Sequence, residues 1–502
     1  MWLALCGAPA CPAAGHQPDL DPDVDGPAPS RRSDPDTRAK AIALENKAIA
    51  AFSKGRFAEA ETLLREQLEL QPGNYVVYYN LACARTAQGD HDDGMKLLVA
   101  AIEHGFDDIR EMERDSSLRA LHQRPEYREI VDRWPDLLAA RRDANVQSVL
   151  EFFDRSYRVE RDDRLRLVYV SAVSESSAAV ARREITRLGD WASKEVFAGL
   201  LDKPESDRDP WVVVVLPTRE DFRKWVISRH GQGAVTGMSS IGGEYDHDAK
   251  ILVAQDLGSS LRHEFFHVLH WRSCMRLGQR HAMWVQEGIC SLVEDYTAAG
   301  DSITIDPSWR TNIVKRLERV GQLTSIADLC RMQPSRFMGT RVLASYARAR
   351  ASFLFLWQRG LLRQWYENYT TGFEQDPTGL AAWEKTLGMP VKQIDLSFRG
   401  WVRSLDMVPE QIVSGMASLG VEVESGEADG LIVSAVLNLK PGSLGGPLRV
   451  GDVITDIDGK STRDIAELVR VLGSYSPGDS VEVGVRRGRL TRTEKVVLTA
   501  KK

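Results

Sequence analysis

Apolar and polar positions divide the chain into stretches of different kinds. Residues 165–170 and 211–216 are short, valine-rich apolar runs that read as buried strands, and residues 176–197 and 219–228 carry apolar positions at helical spacing. Gly242-Gly243, a polar turn and Ile251-Leu252-Val253 read as a hairpin. A helix is predicted around residues 261–269, where Leu261, Val268 and Leu269 are apolar, with Gly278 as its stop. A second helix follows Trp284, and a long helical run extends from Leu343 through Trp357. Trp357, Trp365, Tyr366 and Trp383 fall at helical spacings and read as core. Strands and helices thus mix first and helices dominate later, which makes residues 146–405 an α+β unit with a mostly helical C-terminal half. Residues 1–35 are rich in Pro, Ala and Asp without periodicity and are expected to be disordered.

Residues 36–145 are helical and repetitive. Ala48, Ala51, Phe52, Gly55, Phe57 and Ala60 precede Leu70, Pro72, Gly73 and Asn74; about 33 residues on come Tyr79 to Ala84, then Gly89-Asp90-His91 and Gly94. The pattern resembles tetratricopeptide repeats, with Gly94 where that family usually has Ala, and residues 105–127 resemble the segment that caps such repeats. Two repeats are few for independent stability, so docking on the next domain is expected; a helical hairpin without a partner is the plainer reading. The C-terminal stretch, residues 410–502, resembles a small β-rich PDZ domain of the bacterial protease type, through Leu431 to Val436, Lys440-Pro441-Gly442-Ser443 and Leu448 to Gly459. That resemblance implies capture of C-terminal peptides, with the carboxylate loop at Leu419-Gly420-Val421 and the helix over residues 465–472 as the other groove wall. Gly445-Gly446-Pro447 departs from the usual turn.

Length and composition add bounds. At 502 residues the chain can hold three domains; its net charge of −6 gives no basic excess for nucleic acid. No run of eighteen apolar residues could cross a bilayer. Six cysteines show no C-x-x-C pair, so no redox or zinc-finger motif is present. Cys274 and Cys290 lie on either side of the residue stretch between the two helices and could approach each other, although buried free thiols are the plainer reading. Met1 to Cys6 is too short for a normal signal core, although Leu3-Ala4-Leu5-Cys6 resembles a bacterial lipoprotein cleavage site.

The chemistry concentrates in His263-Glu264-Phe265-Phe266-His267. On a helix of 3.6 residues per turn the two imidazoles stack on one face, where they can hold one zinc ion with Glu264 beside it as a base. Two satisfied core histidines on a buried helix would be the bland alternative. A third ligand is required. Glu287, in Trp284-Val285-Gln286-Glu287-Gly288, and Glu294, seven further on, are expected on one face of the second helix, so either could face the metal. His270 reads as a packing group or a partner of a ligand rather than a ligand itself, and His281, which could reach the cleft, reads more plainly as a surface loop histidine.

H-E-x-x-H followed by W-x-x-E-G resembles the gluzincin zinc metallopeptidases, of peptidase MA type. The resemblance implies His263, His267 and Glu287 as zinc ligands, Glu264 as the catalytic base, and peptide-bond hydrolysis by a metal-activated water. It also suggests Tyr346, 59 residues after Glu287, as the oxyanion donor; a packed tyrosine would explain it as well. Arg348 and Arg350 read either as binders of a substrate carboxylate or as a solvated face. The exopeptidase signature G-x-M-x-N is absent from the hairpin before the zinc helix, which favours an endopeptidase. Three functions follow: a zinc peptidase whose repeat and PDZ domains recruit protein substrates or partners, an inactive peptidase-fold scaffold binding peptides, or a hydrolase of small amides. PDZ-bearing bacterial proteases are commonly extracytoplasmic, which favours a periplasmic or lipoprotein-anchored location.

Overall fold

The computed structural model describes residues 35–202, 205–233, 242–437, 447–488 and 490–501. The expectations for residues 1–34, with Cys6, Cys11 and the lipoprotein-like segment, and for residues 440–446 lie outside them. Two antiparallel helix pairs come first: α1 (Pro35–Ser53) with α2 (Phe57–Leu70), then α3 (Tyr75–Ala87) with α4 (His91–Glu103). A Cβ at Gly94 would collide with the Thr86 hydroxyl, so the second pair approaches too closely there for alanine. The short α5 (Ile109–Arg114) and α6 (Pro125–Asp132) lead into α7 (Trp134–Phe152).

A five-stranded sheet follows, in the order β1-β2-β3-β5-β4. Its strands are β1 (Arg158–Asp162), β2 (Leu167–Ser171), β3 (Val212–Leu216), β4 (Gly243–Asp246) and β5 (Ile251–Ala254). β2, β3 and β5 are parallel, and β1 and β4 are antiparallel edges. Every residue of β2, β3 and β5 is buried, because both faces are covered. Val168, Val170, Val213, Val215 and Val253 share one core with Phe52, Tyr79, Trp134 and Val149 of the helical region, so that region docks on the sheet. Leu167, Tyr169, Val212, Val214 and Leu252 face the opposite core. This second core contains α8 (Glu175–Glu195), α10 (Ser259–Leu277) and α11 (Met283–Leu292), with α9 (Arg219–His230) linking β3 to β4. A hairpin, β6 (Tyr296–Ala299) and β7 (Ser302–Ile305), leads into α12 (Trp309–Arg319), α13 (Ile326–Cys330), α14 (Pro334–Phe337), α15 (Val342–Trp357), α16 (Leu362–Thr371), α17 (Leu380–Leu387) and α18 (Val391–Ser404). Trp365, Tyr366 and Trp383 are buried in this core and Trp357 packs against it, as predicted.

The C-terminal unit has its own core. Its main sheet runs β14 (Leu490–Val497), β13 (Ser480–Arg487), β11 (Val453–Ile457), β10 (Gly430–Val436), β9 (Val421–Glu427), with β12 (Lys460–Ser461) on β11. β8 (Ala417–Ser418) pairs with β15 (Thr499–Ala500), and α19 (Ile465–Leu472) closes the fold. The observed architecture is therefore the expected one: helical repeats, a mixed middle region that turns helical, and a small β-rich end.

Both flanking units grip α10. At its C-terminus Arg114 of α5 donates to the carbonyls of Met275 and Arg276 (3.0 and 2.9 Å), in the last turn where carbonyls run short of helical partners, and Gly278 takes the left-handed conformation (φ 64°) that ends it. At its N-terminus the Ser259 hydroxyl donates to Asp464 of the C-terminal unit (2.9 Å), and Asp256 accepts from the amides of Gly258 and Ser260. Burial, reinforced by Glu467 and Asp256, pushes the Asp464 carboxyl up to about 6. A carboxyl raised above its unfolded value stabilises the fold fully only below about pH 4, and that contribution is lost as pH rises to about 6. Asp464→Asn keeps the cap acceptor, so its melting temperature should gain on the native protein's between pH 4 and 7; parallel melting curves across that range would exclude it.

Candidate metal centre

α10 places His263 and His267 one turn apart, and α11 returns antiparallel to set Glu287 against them. The two Nε2 atoms lie 3.1 Å apart, and Glu287 Oε2 lies 3.4 Å from one and 3.5 Å from the other. Four ligand atoms held tetrahedrally at zinc–nitrogen and zinc–oxygen bond lengths stand about 3.3 Å apart. Glu287 is 6% exposed, and its Oε2 makes no hydrogen bond among the described residues. The chain thus buries a carboxylate oxygen that no protein donor bonds with good geometry, which is the arrangement a cation would complete.

Glu294 has a different place from the one expected. α11 ends at Leu292, so Glu294 leaves the face that carries Glu287 and comes round behind the first imidazole. Its Oε1 accepts a hydrogen bond from His263 Nδ1–H at 2.9 Å, while Arg310 of α12 grips both of its oxygens at 2.6 and 2.8 Å. That bond fixes the His263 ring and leaves Nε2 to face Glu287. Burial opposes charge on His263, but the Glu287 and Glu294 carboxylates outweigh it and hold the imidazolium up to about 10. Burial likewise opposes ionisation of both carboxylates. His267 and His263 drive Glu287 well below the usual range, and Arg310 with His263 does the same for Glu294. Glu264, on the same helix, is raised by burial against the pull of the two imidazoles.

Tyr346 of α15 stacks 6.3 Å from the His263 ring, with the Arg310 guanidinium 5.5 Å from its own ring. Burial first and the Glu287 carboxylate second keep its phenol protonated. Close packing of α15 on α11 depends on Gly288: a Cβ there would stand 2.7 Å from Phe353 and 2.9 Å from Ala349. Gly288→Ala gains about 1 kcal/mol of helix propensity. Overpacking against the rigid, buried Phe353 should outweigh this and leave the protein about 1–2 kcal/mol less stable in urea unfolding; an unchanged midpoint would count against the packing argument.

Several predicted neighbours belong elsewhere. His281 is buried rather than on the surface, since α16 covers its loop; His270 Nε2 and His281 Nδ1 are 2.8 Å apart, with Cys274 Sγ 3.7 Å from His270. Burial keeps both rings neutral, with His281 down at about 3, and pushes the Cys274 thiol up to about 12. Cys274 and Cys290 are buried free thiols. Arg348 and Arg350 are fully buried, so neither lies on a solvated face. Arg348 donates to the Thr324 carbonyl and Ser352, and Arg350 to the carbonyls of Ser291 and Asp306. Leu419, Gly420 and Val421 lie apart from the imidazoles, at the entry to the edge strand β9, with Gly420 left-handed (φ 71°).

Comparison with known proteins gives two family matches. The PDZ domain family model matches residues 417–498, and the tetratricopeptide repeat family model matches residues 51–114. Both are modules that bind peptides or proteins. No curated protein matches the chain. Among solved structures, the crystal structure of an aminopeptidase N family protein from Idiomarina loihiensis is 12% identical, covering 69% of this chain and 68% of that one, with a TM-score of 0.28. Among the described residues no helix is long and apolar enough to cross a membrane.

Proposed function

We propose that the protein is a zinc-dependent peptidase, an endopeptidase of gluzincin type, with a helical repeat domain (36–145), a catalytic domain (146–405) and a PDZ domain (410–502). His263, His267 and Glu287 hold the zinc, and the observation that carries this reading is their three lone-pair atoms spaced 3.1–3.5 Å apart around a buried carboxylate oxygen without a hydrogen bond. When bound, zinc supplies Lewis acidity toward water and the scissile carbonyl. Glu264, raised by burial, takes a proton from the attacking water and delivers it to the leaving amine. Tyr346 keeps its proton and donates it as a hydrogen bond to the developing oxyanion. β4 is the last strand in the sheet order and packs beside α10, so an extended substrate can add to its outer edge and lie across Glu264. The PDZ and repeat domains recruit the protein that is cut, the PDZ domain through C-terminal peptides at Leu419-Gly420-Val421.

Metal analysis of the purified protein, together with cleavage profiling on folded and denatured proteomes, tests this. About one zinc per chain and cleavage that a chelator abolishes are expected. A metal-free protein that binds peptides and cuts none would be a scaffold, and hydrolysis confined to small amides would make it an amidase.

A further inference from the structure

Four charged side chains meet between the zinc helix and the PDZ domain, and all four are buried: Glu184 of α8, Arg262 of α10, and Arg463 and Glu467 of the PDZ domain, the last at the start of α19. Arg262 donates to Glu184 at 3.0 Å and to Glu467 at 2.9 Å. Arg463 pairs with the same two carboxylates and also donates to the Leu257 carbonyl at 2.7 Å. Tyr296 completes the set by donating to Glu184 at 2.8 Å. The quartet sums to zero charge, so it is tolerable away from water only while all four members are in place. Around it the β9–β10 turn inserts into the catalytic core: Ala428 is part of that core, and its carbonyl accepts from the Leu257 amide at 2.7 Å. This is far more intimate than the contact of a tethered module, which stays polar and separable.

Arg262 is also the residue before the first zinc-binding histidine. Its second guanidinium nitrogen donates to the main-chain carbonyl of Glu294 at 2.5 Å, and the Glu294 side chain is the acceptor that holds His263 Nδ1. A continuous path therefore runs from Glu467 through Arg262 and Glu294 to His263. Glu294 lies beyond the end of α11, where its amide keeps one turn hydrogen bond, to the Ser291 carbonyl at 3.3 Å, and its side chain is positioned by Arg310 while its main-chain carbonyl is held by Arg262.

We propose that the PDZ domain is a working part of the metal site: Glu467 and Arg262 are positioning residues that set Glu294 and, through it, the His263 ring. The proposal rests on the zinc reading given above. The outer partners of metal ligands typically change metal affinity about 10–100-fold when altered, and this one is supplied by a different domain. Linkage works both ways: zinc binding must tighten PDZ docking by the same factor by which docking tightens zinc.

The test uses the full chain and two readouts, zinc affinity by competition with a chromophoric chelator and hydrogen exchange of the zinc-free protein. Glu467→Gln is expected to bind zinc about 10–100-fold more weakly and to exchange faster over residues 259–267 and at 294. Ser177→Ala removes a separate interdomain bond, from Ser177 to Asp429 at 2.8 Å, without touching the path; its zinc affinity should stay within about twofold, a factor worth under 1 kcal/mol. Equal losses in Ser177→Ala and Glu467→Gln would reduce the quartet to a general fastening and overturn the proposal. So would native affinity and native exchange in a folded Glu467→Gln protein. Should that variant fail to fold, Arg262→Lys decides. It keeps the charge but cannot serve Glu467 and Glu294 at once, so about tenfold weaker zinc binding is expected by the same outer-partner effect, and native affinity refutes the path. If the native protein binds no zinc, the metal reading fails by itself, and exchange over residues 259–267 then supports or refutes the positioning path alone.

Discussion

Glu264→Gln is expected to slow peptide hydrolysis by about 10²–10⁴-fold, the usual contribution of a positioned general base, while leaving zinc bound. Glutamine matches glutamate in shape and cannot take a proton. Glu264 is not among the three groups whose lone pairs converge, so the metal should be retained. Burial raises its carboxyl toward neutrality, which suits a group that must accept a proton from water and release it to an amine within one turnover. The effect should fall on kcat, since the proton moves only during reaction. A variant that keeps native turnover on denatured protein, with zinc content unchanged, would remove Glu264 from the mechanism.

The second large effect is that of pH on metal capture. Before zinc binds, His263 holds its proton up to about pH 10, because Glu287 and Glu294 face it from two sides. Zinc needs the Nε2 lone pair and must displace that proton, so apparent affinity should rise about tenfold per pH unit, or about a hundredfold from pH 6 to pH 8. The metal-free fold responds in the opposite sense. A histidine raised above its unfolded value of 6.5 stabilises fully below that value, and its contribution is lost as pH climbs to about 10. Zinc-free protein should therefore lose stability in alkali faster than zinc-loaded protein. Chelator competition at pH 6, 7 and 8 measures the first effect, and a flat profile would mean that His263 is neutral and the charge arrangement misread. Melting with and without zinc measures the second.

Much of this site is legible in the residues because it depends on short-range geometry. Two histidines four apart share a helix face wherever the helix sits, and Gly278 ends that helix because a left-handed residue is needed there. The strands at residues 167–171 and 212–216 follow from valine-rich runs that only a doubly covered sheet accommodates. The carboxylate could not be chosen that way. Glu287 and Glu294 look equivalent on a helical wheel, and the difference between them arises where α11 stops. Arg348 and Arg350 misled for the same reason: their spacing suits a solvated face, but α15 is wrapped by other helices and both guanidinium groups end on main-chain carbonyls. His281 was lost to burial by α16, more than eighty residues further along the chain.

The order of amino acids alone settled the repeat and PDZ modules, the pairing of the two imidazoles on one helix face and the glutamate between them in sequence, since each is a pattern that survives any packing. Resemblance had pointed to Glu287 as the acid that faces the imidazoles; tertiary structure alone decided that Glu294 stands behind, and that a PDZ arginine and glutamate close a buried ring of charge beside them. Those choices depend on burial and on partners up to 279 positions apart. No local rule reports what a side chain will meet once water has been excluded around it.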